Sequence, residues 1–102
     1  MIKAYFEKEN NLYRAFNISG HADYADKGQD VCCAAVSSAT QTIINAITDV
    51  FKLQAEVNVG ENEISLKTSE KEASRLIESL LMQLELIKEE FPKNIQIKIS
   101  EV

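Results

Sequence analysis

Residues 73–92 read ASRLIESLLMQLELIKEEFP, and this stretch carries the strongest helical pattern in the chain. Its apolar residues recur at steps of three and four, which places them on one face of a helix. These positions are Ala73, Leu76, Ile77, Leu80, Leu84, Ile87 and Phe91. Ser69 could cap the helix, with Glu72 completing a capping box, and Pro92 marks its end.

Strand patterns lie on both sides of this helix. After it, Ile95, Ile97 and Ile99 alternate with polar residues, the period of a half-buried strand. Before it, residues 55–59 and 64–66 alternate in the same way, and the sequence between them is typical of a turn. A hairpin therefore precedes the helix and a single strand follows it.

The amino-terminal half shows a similar order. Alternation over residues 2–7 and 12–18 predicts two strands, which Asn10-Asn11 joins as a turn. Residues 19–29 lose any period, and we expect them to form an exposed loop. A helix is expected to begin near Asp30 or Val31, with Asp30 as its N-cap.

These elements define one domain that covers residues 1–102. Their order is β-β-α-β-β-α-β, which predicts an α+β fold of two layers. In this arrangement both helices pack on one face of a mixed sheet.

The composition limits the classes of partner. The formal net charge is −5, and the basic residues are scattered, so a nucleic-acid partner is not expected. Residues 31–48 carry no charge, but their Ser, Thr, Gln and Asn content argues against a bilayer span. Charged residues interrupt the first ten positions, unlike a signal peptide, so we expect the cytoplasm and no membrane.

The two cysteines, Cys32 and Cys33, are neighbours in sequence. A disulfide framework would place them apart, and a thioredoxin-type site needs two residues between them. Two vicinal thiols and a distant histidine also do not match a zinc-ligand spacing. We therefore expect two reduced thiols, no metal and no cofactor.

A candidate catalytic pair lies between the first hairpin and the first helix. Cys33 is expected in the first turn of the helix, where free amides favour the thiolate. The only histidine, His21, precedes it by twelve residues, and a loop of that length could bring the two together. The imidazole could take the thiol proton and later return it to a leaving amine. The alternative is a small core cysteine and a solvated histidine, and spacing alone does not decide between them.

The same segment resembles the signature of the bacterial ribosomal-processing cysteine proteases. In that family a Gly-His-Ala is followed by a variable loop and then by Gly-x-Asp, an apolar pair, Cys and Ala, with Ser soon after. The matching positions here are Gly20, His21, Ala22, Gly28, Asp30, Val31, Cys33, Ala34 and Ser37. The predicted order of strands and helices agrees with the family over the whole chain.

The resemblance implies that Cys33 is the nucleophile and His21 its general base. It also implies a homodimer without cofactor. Its substrate would be the N-terminal extension of a large-subunit ribosomal protein, and a basic protein suits an acidic peptidase. Cys32 stands where the family usually has an apolar residue, so we interpret it as a packing thiol.

Three further residues have possible roles in this site. Asp30 could orient His21, or it could cap the helix. Gly20 and Gly28 could act as hinges of a loop that delivers His21.

Two other hypotheses remain open at this stage. One is a ribosome-associated binding module without enzymatic activity, which grips a basic protein through its acidic surface. The other is a thiol redox sensor that uses Cys32 and Cys33. Neither explains the spacing between His21 and Cys33.

Overall fold

The structure, a computed structural model, describes residues 1–20 and 27–102, except for the side chains of residues 27–30. The elements are β1 (Ile2–Glu9), β2 (Leu12–Ser19), α1 (Lys27–Asn45), β3 (Glu56–Val59), β4 (Glu63–Lys67), α2 (Ala73–Glu90) and β5 (Ile95–Glu101). This order confirms the predicted β-β-α-β-β-α-β arrangement.

The five strands form one mixed sheet in the order β3-β4-β2-β1-β5. β1 and β5 run parallel, whereas β1–β2, β2–β4 and β3–β4 are antiparallel. α2 packs on β2 and against α1, so the two helices form a second layer. The predicted two-layer α+β fold is therefore confirmed.

The turn between β1 and β2 follows from its two asparagines. Asn10 and Asn11 both have positive φ, at 52° and 64°, as a tight two-residue hairpin turn requires. The register shifts between Glu7 and Lys8, which is a β-bulge or a similar irregularity. Beyond it the backbone N–H of Tyr13 donates to Ser74 Oγ at 2.9 Å, which ties this hairpin to α2.

A single apolar core lies between the sheet and the helices. The strands contribute Ile2, Ala4, Phe6, Phe16, Ile18, Leu66 and Ile95, and the helical layer contributes Cys32, Val36, Ile44, Ile47, Ala73, Ile77, Leu80, Leu81, Leu84 and Ile87. The alternation of the strands and the three–four spacing of the helices explain why these positions face inward.

Helix α1 differs from its prediction at its amino-terminal end. It begins at Lys27, one turn before the predicted start near Asp30 or Val31. Residues 27–30 contain no proline, and the cost of Gly28 in a helix, about 1 kcal/mol relative to alanine, is small enough for helical packing to outweigh. At its carboxyl end α1 continues into a π-helical turn, Ala46–Val50, closed by Phe51 N–H donating to the Ala46 carbonyl at 2.8 Å.

Residues Val31–Val50 are long and apolar enough to cross a membrane, with a mean hydropathy of 1.3. On composition, the expectation that this run is too polar for a bilayer is therefore wrong. The core helix of a folded domain meets the same criterion, and Cys32, Val36 and Ile47 are buried in the core here.

The predicted cap of α2 is also wrong. The helix begins at Ala73, so Ser69 lies outside it, and Glu72 occupies the N-cap position without a side-chain hydrogen bond. Residues before the helix form a turn instead, in which Thr68 Oγ1 accepts from Glu70 N–H at 3.0 Å and donates to the Gln54 carbonyl at 2.6 Å. The Ser69 carbonyl accepts a hydrogen bond from Arg14 at 2.9 Å. These long-range bonds outweigh the local capping preference.

Candidate active site

The two neighbouring thiols of α1 have different surroundings. Cys32 is 0% exposed and belongs to the core, whereas Cys33 is half-buried at the edge of the core. Both thiols are free of disulfide bonds. The helical pattern of the sequence did not distinguish them, but their burial does. Of the two, only Cys33 is partly exposed to solvent.

The electrostatics separate the two thiols further. Burial is the main cause that raises the pKa of the Cys32 thiol, and the neighbouring Cys33 raises it further. The positive charge of the chain's amino terminus acts in the opposite direction, which places Met1 near this thiol. A buried thiol with a raised pKa stays protonated near neutral pH and is a poor nucleophile.

Cys33 is the seventh residue of α1, because the helix begins at Lys27. The prediction that Cys33 lies in the first turn is therefore wrong. Only the first four N–H groups of a helix lack intrahelical partners, and the effect of the helix dipole fades beyond the first turn. Cys33 therefore lies further from the helix terminus than the sequence suggested.

The end of β2 is fixed in place at Gly20, the residue before His21 in sequence. Gly20 has φ +87°, and a Cβ added there would overlap the carbonyl oxygen of Met1. Its N–H donates to the Asn62 carbonyl at 3.1 Å. Only glycine fits this close backbone approach, which is a requirement separate from the predicted hinge role.

For the other predicted site residues, His21, Gly28 and Asp30, the structure describes at most the backbone. His21 lies outside the described residues. Gly28 and Asp30 have helical backbone in the first turn of α1, rather than lying in a loop and at the N-cap as the sequence predicted. The N-cap interpretation of Asp30 does not fit this helix start, and its role in orienting His21 stays a prediction. Within the described part of the chain, no group of three His, Cys, Asp or Glu side chains could hold a metal ion.

A recess whose wall includes Ser37, four residues after Cys33 on α1, was not predicted from the sequence. It has a volume of about 120 Å³ and lies between α1 and the β3–β4 turn. Its walls are Ile18, Val36, Ser37, Thr40, Gln41, Val59, Gly60, Glu63 and Ile64. These residues come from four separate elements, and each follows an ordinary strand or helix pattern. No local sequence signal could have revealed that they share one cavity.

Curated relatives of this chain have been identified in two genera. The ribosomal processing cysteine protease Prp of Staphylococcus aureus (strain Mu50 / ATCC 700699) is 29% identical over 85 residues, which cover 78% of this chain and 80% of that protein. The protein of the same name from Bacillus subtilis (strain 168) is 26% identical over 92 residues, covering 81% and 82%.

Solved structures share the fold. The S. aureus ribosomal processing protease Prp, crystallised with a substrate peptide, superposes with a TM-score of 0.90 at 22% identity and covers 98% of this chain and 100% of that one. The SMU.848 protein of Streptococcus mutans also gives a TM-score of 0.90 at 22% identity, with coverages of 100% and 96%.

The family assignment rests on nearly the whole chain. The family model described as cysteine protease Prp matches residues 1–96. This match takes in the first hairpin, both thiols, both helices and the start of β5. The half-buried thiol on α1 agrees with the chemistry of that family. The chain belongs to the cysteine protease Prp family and is a cysteine peptidase.

Proposed function

We propose that this peptidase removes the N-terminal extension of a large-subunit ribosomal protein, with Cys33 as nucleophile and His21 as general base. The observation that carries the proposal is the contrast between the thiols, since Cys33 is half-buried and Cys32 is fully buried. The name of the S. aureus and B. subtilis relatives, ribosomal processing cysteine protease, supports the class of substrate.

The position of Gly20, at the end of β2, supports His21 as the general base. Gly20 directly precedes His21 and is held against Met1, whose charge acts on Cys32. The segment that carries His21 therefore continues from a fixed point at the end of β2. We propose that this fixed point allows His21 to reach Cys33.

The proposed reaction follows from these two side chains. The imidazole of His21 takes the proton of Cys33, and the thiolate sulfur attacks the scissile carbonyl carbon. The tetrahedral intermediate collapses when the carbon–nitrogen bond breaks, and the imidazolium gives its proton to the departing amine. Water, deprotonated by the same imidazole, then hydrolyses the thioester and releases the thiol. Asp30 is proposed to orient His21 from the first turn of α1.

The charge of the chain agrees with a basic substrate. The formal net charge is −5, and ribosomal proteins that bind RNA carry an excess of positive charge. We propose that long-range attraction accelerates the encounter, so that the association rate falls as salt is added.

The test is cleavage of a purified precursor of the ribosomal protein, followed by mass spectrometry. Wild type, Cys33→Ala, His21→Ala and Cys32→Ala are compared at equal concentration. We expect one cut, lost by about 10³-fold or more in Cys33→Ala and His21→Ala and retained in Cys32→Ala. Binding without any cut by wild type would favour the non-enzymatic binding module.

The proposal includes a cytoplasmic homodimer that works without cofactor. Exposed apolar side chains on α2, Met82 at 61% and Leu86 at 59%, offer apolar area for a second copy. Light scattering of the purified protein measures the mass. A mass of twice 11.4 kDa is expected, and a mass that stays at 11.4 kDa across concentrations would rule out the dimer.

A further inference from the structure

A cavity of about 550 Å³ lies at the end of the sheet remote from Gly20. Strands β1 to β4 each contribute a charged side chain to its wall, and these are Glu7, Arg14, Glu56 and Lys67. Arg14 precedes Gly20 by six residues of extended chain, which corresponds to about 20 Å. The volume is within the range of ligand sites, about 300–1,000 Å³. The cavity is therefore large enough for a small ligand and separate from the segment that carries the proposed dyad.

Arg14, in the wall of this cavity, is a half-buried cation. Its Nη1 donates to the Ser69 carbonyl at 2.9 Å. Its Nε is buried and has no hydrogen-bond acceptor among the described residues, and no carboxylate in that part of the chain forms an ion pair with the guanidinium. Buried polar groups are nearly always paired, and a guanidinium has five N–H donors. Arg14 therefore has donors and an uncompensated positive charge to offer an acidic group in the cavity.

The sheet register places a second cation next to Arg14 and an acidic side chain on each side. Ala15 follows Arg14 in β2 and pairs with Lys67 of β4. On its other side Ala15 pairs with Glu7 of β1, and Lys67 pairs in turn with Glu56 of β3. Directly paired residues project from the same face of a sheet. The register therefore gives a row across four strands in the order acidic, alanine, basic, acidic, and its three charged members line the cavity.

This pattern of charge selects the class of ligand. A phosphate group is close to doubly charged at neutral pH, so Glu7, Glu9 and Glu56 in the wall would repel it. A carboxylate carries a single charge and matches a guanidinium with two parallel hydrogen bonds. A ligand that also carries an ammonium group would pair this group with the wall carboxylates. Among the described residues these carboxylates form no ion pair with Arg14 or Lys67, so the two ends of the ligand must be apart, which suits a peptide better than one amino acid.

We propose that this cavity is a second ligand site, which binds a short zwitterionic peptide with its carboxylate on Arg14 and Lys67 and its ammonium group on the wall carboxylates. Hydrolysis of a peptide bond creates one free carboxylate and one free ammonium group, so the products of a peptidase carry the chemistry that this site recognises. The site is remote from the proposed dyad, and the inference does not depend on the identity of the substrate or on the roles of Cys33 and His21.

Two variants change the site without disturbing the core. Lys67→Gln removes the charge of an exposed side chain. Lys98→Gln is its matched control, because Lys98 is also an exposed strand lysine but lies outside the cavity wall. Arg14→Lys keeps the positive charge, and a donor for the Ser69 carbonyl, but loses the planar fork that binds a carboxylate. Thermal unfolding of all three variants checks that they fold like wild type.

The assay is a titration of the full chain followed by proton–nitrogen NMR, which detects weak binding and locates it. The probes are alanyl-alanine, its carboxyl-terminal amide, its N-acetylated form and inorganic phosphate. Alanyl-alanine is expected to shift the Nε–H signal of Arg14 and the amide signals around Lys67. Its affinity should fall about 10-fold or more in Lys67→Gln and Arg14→Lys, and should stay unchanged in Lys98→Gln. The amide, the acetylated form and phosphate should bind at least about 10-fold more weakly than alanyl-alanine.

A second titration separates this site from the catalytic one. Binding to Cys33→Ala should equal binding to wild type, with the same signals shifted. The site would be overturned if wild type did not bind alanyl-alanine, if Lys67→Gln and Lys98→Gln bound it equally, or if the shifted signals surrounded Cys33 instead of Arg14. Phosphate or the amide binding as tightly as alanyl-alanine would overturn the class of ligand. None of these results depends on whether the ribosomal-protein precursor is cleaved.

Discussion

The two helices lie on the same face of the sheet, yet they bury different kinds of side chain. α2 buries an unbroken stripe that includes Ile77, Leu80 and Leu84, all at most 1% exposed. α1 buries Cys32 and Thr40 in its share of the core and keeps Cys33 half-buried. The buried side chains of α2 are mainly large and aliphatic, whereas α1 also buries a thiol and a hydroxyl and keeps a second thiol partly exposed. On this account α2 contributes mainly to stability, and α1 carries the proposed nucleophile.

The largest expected effect tests the structural role of α2. Leu84 is 0% exposed, so Leu84→Ala should lower the free energy of unfolding by about 2–5 kcal/mol, through lost burial and the cavity left behind. Leu86 is the matched control, because it is 59% exposed on the same helix. Leu86→Ala should change the free energy of unfolding by less than about 0.5 kcal/mol. Urea titration followed by circular dichroism measures both. Similar losses for the two variants would contradict the assigned burial of α2.

A smaller effect on the free energy of unfolding is expected at the strand ends. Here a substitution disturbs the close approach of two backbone segments and not the burial of apolar area. Gly20→Ala should cost roughly 1–3 kcal/mol, because its φ of +87° and the Met1 carbonyl exclude a Cβ. Gly60→Ala should be close to neutral, because a Cβ there meets only the Glu63 carbonyl oxygen, at an ordinary contact distance of 3.7 Å. Urea titration measures the free energy of unfolding of both variants.

Cleavage kinetics then show whether Gly20 positions the histidine loop as well as stabilising the fold. We expect Gly20→Ala to lower kcat more than it raises KM, since the residue after it is His21. Equal stability of the Gly20→Ala and Gly60→Ala variants would mean that Met1 does not restrict the end of β2.

The smallest effect concerns the buried thiol of α1. Burial raises the pKa of Cys32 in the folded state above its ordinary value of 9.0, so the unfolded chain loses the proton first as pH rises. The stabilisation from keeping this thiol neutral is complete below pH 9.0 and is lost progressively as pH rises through the folded pKa. Unfolding free energies of wild type and Cys32→Ala between pH 7 and 11 should differ in slope only above about 9. Parallel curves over the whole range would show that Cys32 is not desolvated.

Much of the fold could be predicted because it depends on local periodicity. The hairpin could be predicted from the alternation around Phe6 and Phe16 and from the paired asparagines of the first turn. Helix α2 could be predicted from the apolar stripe through Leu84. The helix starts were less predictable. Thr68 and Arg14 form contacts across 14 and 55 residues of sequence, and these override the capping preference of Ser69.

The site was predictable in part. The motif around His21 and Cys33 was sufficient to predict the family, but helical phase could not decide which thiol is buried. That depends on how α1 is rotated against the sheet, which packing in three dimensions determines. The recess brings Ile18, Val36 and Ile64 together from distant parts of the chain, so it could be found only from the structure.

The most direct test of the central claim, that Cys33 is the reactive thiol of α1, is alkylation of the native protein with limiting iodoacetamide. Peptide mapping locates the adduct while cleavage of the ribosomal-protein precursor is followed in parallel. We expect the adduct on Cys33, with residual activity falling in proportion to its modification and Cys32 reacting only after unfolding. An adduct on native Cys32, or full activity after complete modification of Cys33, would contradict the account.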